Sequence, residues 1–87
     1  LSASLKPGHV AQEQFELLLA GTSIRSVKVI NALRDHLVSG VPGKDAWSQN
    51  GASKAQFYLN LGVLKEESER SRKLAPFYAA VEVADEQ

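Results

Sequence analysis

The chain has 87 residues, which suits a single domain. Ten Lys and Arg balance ten Asp and Glu, so no overall charge draws it to nucleic acid, and the absence of cysteine excludes disulfides and Cys-based zinc sites. Its apolar runs fall far short of the roughly 20 residues that span a bilayer, and no signal-peptide pattern opens it. The chain begins at Leu1 rather than Met, so a preceding segment is expected.

Residues 1–8 combine small side chains with Pro7-Gly8 and read as a loose arm. A first helix is predicted over 9–20, with Val10, Phe15, Leu18 and Leu19 as its apolar residues and Gly21 closing it. Residues 22–26 form a loop in which Ser23 or Ser26 caps the next helix. The clearest helix runs over 26–39, where Val27, Ile30, Leu33 and Leu37 share one face and Lys28, Asn31 and Asp35 fall mostly on the other. Gly40 ends it, and Val41-Pro42-Gly43 turns the chain. A third helix is expected over 44–50 and a fourth over 53–73, with Pro76 as a limit. No segment alternates with period two. The fold class is therefore all-α, four main helices in one domain over 9–78, followed by an acidic tail over 79–87.

Residues 44–64 carry the most information. Ala46 and Trp47 are apolar anchors, and Gly51 follows Trp47 by four residues. Glycine there permits a positive φ, so one helix can stop and turn sharply. Ser53 can accept a hydrogen bond from a free N–H at the start of the next helix, where Phe57, Leu61 and Leu64 recur at helical spacing. This order spells a helix-turn-helix, whose second helix commonly lies in the DNA major groove.

With Phe57 and Leu61 inward, Ser53, Lys54, Ala55, Tyr58 and Leu59 occupy the outward arc, flanked by Gln56 and Asn60. Lys54 suits a phosphate or a guanine edge. Gln56 and Asn60 suit adenine, and Ala55 and Tyr58 suit a thymine methyl or a sugar. Backbone N–H groups at the helix start can donate to phosphate. Arg25, Ser26 and Lys28, with Ser23, form a second candidate phosphate site before a helix. Between 21 and 64, five basic residues (Lys44 among them) face two acidic ones, a net of +3. After Leu74 the only charges are Glu82, Asp85 and Glu86, a net of −3 that masks the basic segment.

Residues 65–73 are almost wholly polar, with Glu66–Arg70 and Glu69–Lys73 at i,i+4 spacing. Phe77-Tyr78 beyond them is an apolar knob that can dock on its own domain or on a neighbouring copy, and we expect the latter to serve oligomerisation. His9 and His36 are the only histidines, and neither has a metal-ligand neighbour at useful spacing. No Gly-rich phosphate loop, nucleophile elbow or zinc motif is present. We expect no enzyme, cofactor, metal or small-molecule substrate, and no membrane partner.

The run from Ser23 to Gly40, SIRSVKVINALRDHLVSG, resembles the central signature of the PapB-type regulators of fimbrial adhesin operons. The similarity continues through Gly51, Ser53, Phe57 and Leu61-Gly62 and ends with Leu74-Ala75-Pro76-Phe77-Tyr78. The resemblance implies an all-helical bacterial transcription regulator that binds double-stranded DNA at AT-rich promoter sites and assembles as a homo-oligomer. It also implies a cytoplasmic protein, at the nucleoid when bound, with DNA contact partly through the minor groove. Family members often carry basic residues just after the Gly40 equivalent and after the Gly62 equivalent. This chain has Val41-Pro42-Gly43 and Val63 there, which lowers the positive charge near the motif. Together with the zero net charge, that supports a second expectation: a protein–protein module that modulates related regulators without strong DNA binding of its own. A steep salt dependence of DNA retention belongs to the first reading alone.

Overall fold

The computed structural model describes residues 5–85, with side chains as far as Phe77. It contains four helices, α1 (Gln12–Ala20), α2 (Val27–Leu37), α3 (Gly43–Gln49) and α4 (Lys54–Asp85), and no strand among the described residues. The all-α expectation therefore holds. Helix α2 touches each of the other three, and α4 also packs on α1 and α3. Phe15, Leu33, Leu37, Phe57 and Leu64 are fully buried where these helices meet. In a domain this small such a cluster carries much of the hydrophobic stabilisation.

The chain enters the core earlier than the expected arm allows. Residues 1–4 of that arm lie outside the described residues, but Leu5 and Val10 are buried in the core. The last carbonyls of a helix have no intrahelical partner. Here the N–H groups of Gly8 and Val10 donate to the carbonyls of His36 and Leu37, at 3.2 Å each. Residues 8–10 are thus tied to the end of α2, and α1 begins at Gln12 rather than at His9. The crossing is tight: Gly8 has φ +77°, and a Cβ on it would lie 3.1 Å from the Cα of Gly40.

Helix α2 is capped as its sequence demands, with the Val29 N–H donating to Ser26 Oγ at 3.4 Å. Its buried face is not the expected one. Leu33 and Leu37 are buried, but their companions are Val29 and Ala32, while Ile30 is only partly buried and Val27 is 69% exposed. A helix carrying apolar residues at 27, 29, 30, 32, 33 and 37 supports more than one stripe.

Helix α4 has 32 residues and sets the long dimension of the molecule, about 48 Å at 1.5 Å per residue within overall extents of 51 × 22 × 18 Å. It does not stop before Pro76, as expected, but runs through it. A proline inside a helix loses one hydrogen bond and crowds the carbonyl four residues back. That carbonyl belongs to Arg72, in an exposed stretch where water can take the freed acceptor. In this polar stretch Arg70 pairs with Glu67 at 3.0 Å, one turn back at i,i+3, rather than with Glu66. The Glu67 carboxylate lies against Gly21, where a side chain on residue 21 would collide with it.

Candidate nucleic-acid interface

The segment joining α3 to α4 is built from local hydrogen bonds that its sequence encodes. Gly51 has φ +71°, in the left-handed region. With the chain so turned, the Ala52 N–H donates to the Trp47 carbonyl at 2.9 Å, and Ala52 is buried. Asn50 braces the turn from its side chain. Its Nδ2 donates to the Ala46 carbonyl at 2.8 Å and to Asp35 Oδ2 on α2 at 2.9 Å. Ser53 then caps α4, its Oγ accepting the Gln56 N–H at 3.0 Å. A helix, a tight turn at Gly51 and a capped helix follow one another in the expected order. Trp47 packs against the core as expected of an anchor, with its Nε1 buried and unpartnered among the described residues.

Packing beneath the turn fixes where α4 begins. Phe57 is fully buried, edge-on to His36 (centroids 5.6 Å) and to Tyr58 (4.9 Å). His36 Nδ1–H donates to the Val41 carbonyl at 2.7 Å, which ties the end of α2 to the loop before α3. His36 is thus a core-edge residue with a structural bond.

The five cations of the basic segment divide into two groups. Arg34 lies 5.4 Å above the Phe15 ring, bonds Asn31 Oδ1 at 2.9 Å and pairs with Glu16 at 3.5 Å, joining α2 to α1. Arg25 folds onto its own loop, its Nη1 donating to the carbonyls of Thr22 (3.4 Å) and Ile24 (3.1 Å). With Ser26 occupied as a cap, that loop is internally bonded. Lys28, Lys44 and Lys54 are exposed. Lys28 lies alongside the turn, its Cδ 3.8 Å from where a Cβ on Gly51 would sit. Lys44 follows Gly43, against which the Tyr58 hydroxyl rests at 2.8 Å from a Cβ position. Lys54 opens α4 itself.

The other candidates lie on the first two turns of α4. Ser53, Ala55, Gln56 and Tyr58 are exposed. Asn60 is half-buried and donates from Nδ2 to the Gln56 carbonyl at 2.9 Å, which engages one of its amide hydrogens within the helix. The first N–H groups of any helix lack intrahelical acceptors. Ser53 takes that of Gln56, leaving those of Lys54 and Ala55 for solvent or a ligand. Leu59, on the outward arc but not among the expected contacts, is 63% exposed. Its signal was its register, opposite Phe57 and Leu61, rather than its chemistry. Phe77 is 69% exposed on the distal part of α4, and the side chain of Tyr78 lies outside the described residues.

Comparison with known proteins agrees with this architecture. The crystal structure of Escherichia coli FocB superposes with a TM-score of 0.80 at 37% identity, covering 87% of this chain and 86% of that one. The F1845 adhesin operon regulatory protein of E. coli is 39% identical over 71 residues, 82% of this chain and 84% of its own length. The major pilus subunit operon regulatory protein PapB of E. coli is 34% identical over 74 residues, 85% of this chain and 71% of its own. The pattern of the adhesin biosynthesis transcription regulatory proteins matches residues 2–78, from ahead of α1 to the distal part of α4. With that match over most of its length, the chain belongs to the PapB family of transcription regulators.

Proposed function

We propose that this protein is a DNA-binding transcription regulator of a fimbrial or adhesin operon, acting in the bacterial cytoplasm and occupying AT-rich promoter sites as a homo-oligomer. The observation that carries the reading is an exposed, capped helix start with Lys54 in its first turn and Lys28 beside the Gly51 turn that precedes it. Such a start presents backbone donors and the positive end of the helix dipole to a phosphate, and the Lys28 and Lys54 side chains extend that field. The operon assignment follows the names of the relatives. With two of the five cations engaged inside the subunit, each copy makes few phosphate contacts, and linked copies supply the missing affinity through effective concentration.

The test is binding to an AT-rich duplex across a salt series. Each phosphate contact releases counterions, so a DNA binder shows a steep fall of affinity with salt, whereas a module that works only through other proteins shows none. Lys54→Ala is expected to weaken binding and to reduce the salt slope by about one unit, with an unchanged melt. An unaltered slope would remove Lys54 from the interface.

Assembly is assigned to the distal part of α4. Phe77 is exposed on the distal part of the long helix α4, where a neighbouring copy can reach it. Repetition of one heterologous contact builds an open array suited to tandem sites. Replacing Phe77 and Tyr78 together with Ser should yield smaller species in sedimentation while helicity and melting midpoint hold. A collapsed midpoint with unchanged association would assign the pair to the subunit's own stability instead.

A further inference from the structure

We infer that Asp35 is a positioning residue for DNA binding: it holds both ends of α3, and so sets where the turn at Gly51 and the start of α4 stand. The inference rests on the DNA-binding reading above and on no choice of groove.

The two bonds lie on one residue in the last turn of α2. The Asp35 carbonyl accepts the Val41 N–H at 3.0 Å, in the loop that leads into α3. The Asp35 carboxylate accepts from Asn50 Nδ2 at 2.9 Å, at the C-cap of α3. Asn50 Nδ2 also donates to the Ala46 carbonyl, so both of its hydrogens are in use. His36 strengthens the entry alone, through the Val41 carbonyl. The exit depends on the Asp35 side chain. Lys28, two turns earlier on the same face of α2, lies beside Gly51. Helix α3 has seven residues, of which Ala46 is buried and Trp47 partly so. A helix that short has little stability of its own, and its orientation is set by what holds its ends.

Electrostatics argues against an acid at this place. Between 21 and 64 only Asp35 and Asp45 oppose the five cations. Asp45 lies in the first turn of α3, where a negative charge suits the helix dipole. Asp35 lies in the last turn of α2, where it opposes the dipole. It also subtracts from the field that attracts phosphate. What offsets both costs is the part-buried bond to Asn50, strengthened by the charge on its acceptor.

Charge and position therefore predict opposite signs for one substitution. Removing a negative charge strengthens DNA binding, whereas freeing the exit of α3 lowers the population of the binding arrangement and weakens it. The experiment measures binding of the full chain and its variants to an AT-rich duplex, well below each melting midpoint. Asp35→Ala should bind about tenfold more weakly, the order expected for one hydrogen bond to a charged acceptor. Asp35→Asn loses the same charge but keeps an oxygen for Asn50, and should bind at least as tightly as the parent. Asn50→Ala removes the bond from its other side and should bind at least as weakly as Asp35→Ala. The double variant, Asp35→Ala with Asn50→Ala, should bind no more weakly than Asn50→Ala alone. Without DNA, the Ala52 N–H, which donates to the Trp47 carbonyl, should exchange faster in Asp35→Ala, while that of Leu33 in α2 holds. Equal or tighter binding by Asp35→Ala overturns the proposal, even with a lowered midpoint, since the bond would then serve stability alone. Equal losses in Asp35→Ala and Asp35→Asn overturn it, as do additive losses in the double variant. Absence of salt-dependent binding by the parent would overturn the DNA-binding reading itself, and the proposal with it.

Discussion

Phe57→Ala is expected to cost about 3–5 kcal/mol of stability, the range for truncating a fully buried aromatic. Phe57 has no exposed surface and meets His36 and Tyr58 edge-on. Its loss leaves a cavity between α2 and α4 and removes the ring against which His36 is held. His36 in turn anchors the Val41 carbonyl, so the loop leading to α3 is loosened as well. Small domains have about 5–15 kcal/mol in total, and each kcal/mol moves the midpoint by roughly 4–8 °C at this size. A thermal melt followed by circular dichroism should show a midpoint lowered by well over about 10 °C, or no cooperative transition. A midpoint within a few degrees of the parent would mean that Phe57 does not join these helices.

Gly51→Val is expected to cost about 1–3 kcal/mol, through the backbone rather than through contact. The space around residue 51 is not the obstacle, since the nearest atom to a Cβ there is Lys28 Cδ at 3.8 Å. The obstacle is φ +71°, which a β-branched residue adopts poorly. Relief of the strain would swing Ala52 out of the core and separate Asn50 from Asp35, displacing the start of α4. Gly51→Asn is the informative control, because asparagine tolerates the left-handed region. It should lose less than half as much as the valine variant. Equal losses for Val and Asn would place the cost in steric contact and not in φ.

These two residues mark the difference between what is local and what is not. The turn at Gly51, the caps at Ser26 and Ser53 and the presence of four helices were legible in the chain. Each depends on hydrogen bonds and torsions within a few residues. The family was legible for a similar reason, because its signature lies in continuous runs of sequence.

What only the tertiary structure decided concerns choices among equivalent local options. Helix α2 carries two usable apolar stripes, and packing against the other three helices selected Val29 and Ala32 over Val27. The N–H groups of Gly8 and Val10 found their acceptors on the far end of α2, which delayed the start of α1 and carried Leu5 into the core. Pro76 lies on a projecting part of α4 where water can take the freed carbonyl, so the helix continued. The division of the cations is of the same kind. In the sequence Arg25, Lys28, Arg34, Lys44 and Lys54 are five equal charges. Arg34 is joined to Glu16 and Phe15 only because α1 packs against α2, and Lys28 approaches the Gly51 turn only because α2 packs against α3 and α4. Local hydrogen bonding is written in neighbouring residues, whereas the partner of a long side chain depends on which surfaces the folded chain brings within its reach.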